Sequence, residues 1–94
     1  MTYKLTFLAS AKKEWDKISP DIQKFFKSKL IKVLEAPHVP KNKLMNMEGC
    51  YKIKLCSSGY RLVYRVYDDR VVVQVIAIVK RDKNLIYNIA SRRL

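Results

Sequence analysis

Hydrophobic and polar positions alternate with period two in four stretches of the chain and recur at helical spacing in three. Tyr3, Leu5 and Phe7 alternate with Thr2, Lys4 and Thr6, which predicts a first strand. Leu8, Ala11, Trp15 and Ile18 then mark one side of a short helix. Ser19-Pro20-Asp21 reads as a second helix start, with a serine cap, proline at the first position and an acid on the positive end of the dipole. Ile22, Phe25, Phe26, Leu30, Val33 and Leu34 form its apolar stripe, with Lys24, Lys27 and Lys32 away from the stripe, Lys29 near its edge, and Pro37 ending it. These two helices are expected to pair as a hairpin over one sheet face. Residues 36–49, with two prolines and the lone His38, form the longest loop.

The centre of the chain is more regular. Cys50-Tyr51-Lys52-Ile53-Lys54-Leu55 and Tyr60-Arg61-Leu62-Val63-Tyr64-Arg65 alternate apolar with cationic or small residues around the turn signal Cys56-Ser57-Ser58-Gly59. Pairing Leu55 with Tyr60 sets Ile53 against Leu62 and Tyr51 against Tyr64 on one apolar face. The other face then carries Lys52, Lys54, Arg61 and Arg65, with Lys54 opposite Arg61. A slip of one residue would bury Arg61, so burial enforces this register. Like charges opposed on a sheet are destabilising, so a role other than folding is the natural cause of the cluster.

Asp68-Asp69 is expected to turn the chain into a last strand over 70–80, with Val66 against Val71. Val73, Val75 and Ala77 then continue the apolar face. The opposite positions, Val72, Gln74, Ile76 and Ile78, are too apolar to stay wet, and the helical spacing of Leu85, Ile86, Ile89 and Ala90 makes the last segment their cover. The first strand is expected to pair with the last. The result is a β-α-α-β-β-β-α order: a small two-layer α+β domain with a mostly antiparallel four-stranded sheet, a helical hairpin on one face and a short C-terminal helix.

Ninety-four residues suit one domain, 1–94, and 49% hydrophobic with 30% charged residues is ordinary for a packed chain. The charge balance is not ordinary. Twenty Lys and Arg against eight Asp and Glu leave +12, which points to nucleic acid, an anionic surface or an acidic protein as partner. Residues 41–94 hold twelve basic and four acidic groups, whereas residues 1–40 hold eight and four. Cys50 and Cys56 stand at opposite ends of one predicted strand, roughly 20 Å apart and beyond disulfide reach. Two reduced thiols suit a cytoplasmic protein. Met1–Leu8 is too short and polar for a signal sequence, and the apolar run from Val71 to Val79 is half a membrane span. No membrane partner, metal or other cofactor is expected.

Lys52, Lys54, Arg61, Arg81 and Tyr87 are the candidate active constellation. On residue types alone a basic sheet face reads as a solvated or nucleic-acid-binding surface rather than a catalytic one, because fold and charge do not specify chemistry. No rival site competes, since the sequence offers no supported Ser-His-Asp or Cys-His arrangement and no phosphate loop. His38 reads as a surface loop residue without a nearby partner, and Trp15 and the phenylalanines read as core.

Three motifs carry a family resemblance: Tyr51-Lys52-Ile53-Lys54-Leu55, Ser57-Ser58-Gly59-Tyr60-Arg61-Leu62-Val63-Tyr64, and Lys80-Arg81 with Tyr87 six residues beyond the arginine. With Lys13-Glu14-Trp15 and Asn42-Lys43-Leu44, they make the chain resemble the RelE toxins from end to end. The resemblance implies a single toxin domain that cleaves messenger RNA in the ribosomal A site by attack of a ribose 2′-hydroxyl on the adjacent phosphate, without a metal. It assigns phosphate binding and the general base to Lys52 and Lys54, stabilisation of the crowded phosphate to Arg61, the leaving oxygen to Arg81, and stacking on a base to Tyr87. It also implies a cognate antitoxin as partner, operator DNA contacted only through that antitoxin, and ribosomal RNA as the surrounding surface. Relatives often carry Arg-Gly where Met45-Asn46 stands here. A straight last strand would leave Arg81 on the core face, so a bulge or the strand's end has to redirect it.

An ordinary lysine ionises near 10.4, and bringing one down by about three units takes roughly 4 kcal/mol. The free protein is therefore expected to be a poor nuclease until a large partner orients the RNA and excludes water. Two rival functions remain: a ParE-like gyrase-inhibiting toxin of the same fold, and a non-catalytic RNA- or ribosome-binding module. The last helix, short and with few residues to hold it, is expected to be the element with which the antitoxin competes.

Overall fold

The computed structural model describes residues 2–44, 47–55, 59–80 and 83–93. The elements are β1 (Lys4–Phe7), α1 (Ala9–Lys17), α2 (Pro20–Glu35), a 3-10 turn at Pro40–Asn42, β2 (Cys50–Leu55), β3 (Tyr60–Tyr67), β4 (Val72–Lys80) and α3 (Lys83–Arg93). The strands form one sheet in the order β1-β4-β3-β2. β2–β3 and β3–β4 are antiparallel, and β1 lies parallel to β4 with Lys4 against Val72 and Phe7 against Val75. The sheet is thus mixed, with the first strand on the last as the free edge required. Among the described residues no helix is long and apolar enough to cross a membrane.

The central hairpin has the register that burial demands: Leu55 pairs with Tyr60, Ile53 with Leu62, Tyr51 with Tyr64, and Lys54 with Arg61. Gly59, at a φ of 76°, occupies the left-handed region open to glycine at little steric cost and donates to Leu55 O at 2.8 Å. The turn residues Cys56, Ser57 and Ser58 lie outside the described residues, as do Met45, Asn46 and Arg81.

α1 and α2 cover one sheet face. Ala11, Phe26, Leu30 and Val33 are buried there against Ile53, Leu62, Tyr64, Val73 and Val75. Pro20 and Asp21 sit in the first turn of α2, but Ser19, although at the cap position, makes no side-chain capping bond. Proline at the first position has already removed one of the amides that would need a cap. α3 covers the other face, where Ile86 and Ala90 pack with Val63, Ile76, Ala77, Cys50 and Leu44. The last segment therefore covers the apolar side of the last strand, as its spacing predicts.

The register of β4 corrects two expectations. Val66 pairs with Val73 rather than Val71, because the turn between the strands takes in four residues, 68–71. Val71 closes it at a φ of 54°, with its N–H bonded to Asp68 O at 3.4 Å. This two-residue offset preserves the faces. A bulge does not. Tyr64 pairs with Val75 and Val63 with Ala77, leaving Ile76 as an extra residue. Beyond it, Ala77 passes to the α3 face and Ile78 to the α1–α2 face, each opposite to its expected side.

The bulge lies where β1 has ended and the outer edge of β4 is open. Two side chains occupy that edge. Glu14 of α1 accepts the Ile78 N–H at 3.2 Å, and Arg93 of α3 donates to Ile76 O at 2.8 Å. Arg93 also binds Glu14 at 2.8 Å, so one ion pair ties both helical layers to the strand between them. The expectation that little holds the last helix is corrected by this contact.

Candidate active site

Lys54 and Arg61, fixed opposite one another by the β2–β3 register, line a hollow of about 240 Å³ at the turn end of the hairpin, with Leu55, Gly59 and Tyr60. Lys54 is exposed and Arg61 half-buried. Nη1 of Arg61 is buried and has no hydrogen-bond partner among the described residues. Leaving a buried donor unmatched costs about 1–3 kcal/mol, and more for a charged group. Such a donor is suited to an acceptor that the described residues do not supply.

Lys52 is half-buried on the same face, opposite Val63. Tyr87 reaches this side of the sheet from α3 and packs against the Val63, Ile76 and Ala77 cluster. Its hydroxyl is likewise buried without a partner among the described residues. Two of the candidate residues thus bring unmatched polar atoms to the face covered by α3. Arg81 lies outside the described residues. The bulge at Ile76 does, however, put Val79, two positions before Arg81, opposite Arg61.

Arg65 separates from the group. Its guanidinium lies over the Tyr67 ring at 5.0 Å, towards the other end of the strand. Lys80 joins instead: it pairs with Tyr60, and its Nζ stands 5.5 Å from the Tyr60 ring centroid. Only its place beside Arg81 in the sequence signals this.

One further residue changes standing. His38 has partners after all, meeting Tyr51 Oη at 2.9 Å through Nδ1 and Asp68 Oδ1 at 2.7 Å through Nε2. Asp68 also accepts from Tyr3 at 2.7 Å, and these hydrogen bonds, Tyr3 first and His38 second, hold its carboxyl below the usual range. Tyr51 is itself buried in the core, so this chain of bonds fastens the loop after α2 to the β3–β4 turn. Cys50 is buried, and burial pushes its thiol up against the opposing pull of Arg65. It is core rather than nucleophile. Among the described residues no three His, Cys, Asp or Glu gather as a metal site.

Residues 5–85 match the family model described as the ParE toxin of type II toxin–antitoxin system, parDE. The mRNA interferase toxin RelE of Escherichia coli strain K12 is 49% identical over 94 residues, which are 100% of this chain and 99% of that one. The chain belongs to the RelE toxin family. The solved structure of the E. coli RelE toxin in the free state, as a double arginine-to-alanine mutant, superposes with a TM-score of 0.92 at 48% identity, covering 100% of this chain and 99% of that chain. The same mutant in complex with an antitoxin RelBc peptide gives 0.84 at 48% identity, with coverage of 100% and 99%. Both RelE structures share this chain's fold over its length.

Proposed function

We propose that residues 1–94 act as one toxin domain, a ribosome-dependent endoribonuclease that cleaves messenger RNA in the A site. The observation that carries this reading is that Arg61, whose buried Nη1 has no partner among the described residues, lines a hollow shared with Lys54. Oriented cations placed where negative charge develops are often the largest catalytic contribution. In the reaction, a ribose 2′-oxygen loses its proton and bonds to the adjacent phosphorus, and the bond from phosphorus to the 5′-oxygen breaks. The products carry a 2′,3′-cyclic phosphate and, once the leaving oxygen gains a proton, a 5′-hydroxyl.

In this reading Lys52 and Lys54 hold the phosphate and take the proton, and Arg61 stabilises the crowded phosphate. Arg81, one residue beyond Lys80, serves the leaving oxygen, and Tyr87 orients a base. The naming of the E. coli relative as an mRNA interferase supports the activity. The structure of a relative with an antitoxin peptide supports a proteinaceous antitoxin for this chain too. The setting is the cytoplasm, where ribosomes are.

The test is a translating extract in which 5′ ends are mapped on a defined message. The wild-type protein produces codon-phased cuts, and Arg61→Ala and Arg81→Ala each lower their rate by about 10²–10³-fold, the usual loss for one charge-stabilising donor. An intact message with arrested translation would make the protein a binding module, and breaks in DNA would make it a gyrase poison.

A further inference from the structure

A second hollow, about 380 Å³, adjoins the first, and Lys54 lines both. Lys29 and Lys32 of α2, Lys41 of the 3-10 turn and Lys52 and Lys54 of β2 surround it, and among the described residues no carboxylate lines it. None of these five lysines is in an ion pair with a carboxylate among the described residues. β2 is one of the two edge strands, which explains how the cluster assembles. Lysines from the α2 layer and from the opposite sheet face meet where the sheet stops. Five ammonium groups around one hollow repel one another, so the arrangement costs stability unless an anion enters.

We propose that this groove is a substrate-positioning subsite. Through Lys29, Lys32 and Lys41, which take no part in the bond changes, it holds the phosphodiester backbone of the message next to the scissile phosphate at Lys52 and Lys54. The inference rests on the endoribonuclease reading above and names the part of its substrate that the groove grips. Its continuity with the Lys54–Arg61 hollow favours the same strand over a separate molecule. Every cation lining it among the described residues is lysine, a point charge on a flexible stem suited to contact with a phosphate backbone. Backbone contacts of this kind position a nucleic acid without reading its sequence. The proposed subsite therefore adds affinity without adding codon preference.

Lys29, Lys32 and Lys41 lie outside the catalytic set and are exposed, so replacing all three with glutamine leaves the core untouched. The measurement is fluorescence anisotropy of a single-stranded RNA with 2′-deoxy sugar at the cut, titrated over a series of salt concentrations. Each phosphate neutralised contributes about 0.7 to the slope of log affinity against log salt. The triple variant is expected to lower the magnitude of that slope by about 2 on a longer strand. A dinucleotide that fills only the Lys54–Arg61 hollow is expected to bind both proteins alike.

Equal slopes for both proteins on the longer strand overturn the proposal. So does loss of affinity for poly-glutamate alone, which would assign the groove to an acidic protein. Loss of affinity for ribosomes with unchanged binding of the RNA strand would assign it to ribosomal RNA and also overturn it. Because the strand is not cleaved, this readout is independent of the extract assay, and either reading can fail without the other.

Discussion

Tyr64 is sealed between the sheet and the loop after α2, stacked on Tyr51 with ring centroids 5.5 Å apart and donating its hydroxyl to Pro37 O at 3.0 Å. Burial, and then the neighbouring Tyr51, push its ionisation far above the ordinary phenol value. Above pH 10 the unfolded chain releases this proton and the folded one keeps it, so the stabilisation is complete below the unfolded value of 10 and falls away as pH rises beyond it. Tyr64→Phe is expected to cost about 1 kcal/mol at neutral pH through the lost hydrogen bond. It should also make the alkaline fall in stability shallower by one proton, read from urea titrations between pH 8 and 11. An unchanged alkaline slope would contradict this account. The faces of Tyr64, Lys54 and Arg61 were legible because alternation places residues without knowledge of the rest of the fold. The partners of His38 were not, because Asp68 lies 30 residues away and meets it only through tertiary packing.

α1, β4 and α3 meet at the edge that β1 leaves open. There the Glu14–Arg93 pair supplies an acceptor to Ile78 N–H and a donor to Ile76 O, in place of a neighbouring strand. Unpaired strand edges invite other strands, so this pair both protects the edge and pins α3. With side-chain exposures of 21% and 26%, it is screened in part by solvent. Arg93→Ala is expected to cost about 1–2 kcal/mol. In hydrogen exchange, the α3 amides should lose protection while those of β3 keep theirs. Equal loss in α3 and β3, or no loss in either, would show that packing of Ile86 and Ala90 alone holds the helix. The stripe of α3 was readable from its spacing, but its anchor was not, since Glu14 and Arg93 are 79 residues apart.

Across the whole molecule, a charge of +12 is confined within 31 × 26 × 26 Å. At 0.01 M salt the Debye length is about 30 Å, so nearly every cation feels the others, and at 0.15 M it shrinks to about 8 Å. Raising salt from the lower to the higher value is therefore expected to stabilise the free protein by about 1 kcal/mol, or about 4–8 °C in melting temperature. Differential scanning calorimetry checks this, and a melting temperature that stays level or falls would mean that the cations are already compensated. The same excess charge that weakens the free fold is what the hollow beside Arg61 and the adjoining lysine groove offer to RNA.

The order of elements, the hairpin register, the stripes of the helices and the opposition of Lys54 to Arg61 were all readable along the chain. All of these follow from short periodicities and from the cost of burying a charge. The bulge at Ile76, the exchange of faces by Ala77 and Ile78, and the clasp of α1 and α3 on one strand edge arise from the packing of distant elements. So does the groove that lysines of α2 and β2 enclose. These features depend on which distant side chains meet, and no local pattern encodes such a meeting.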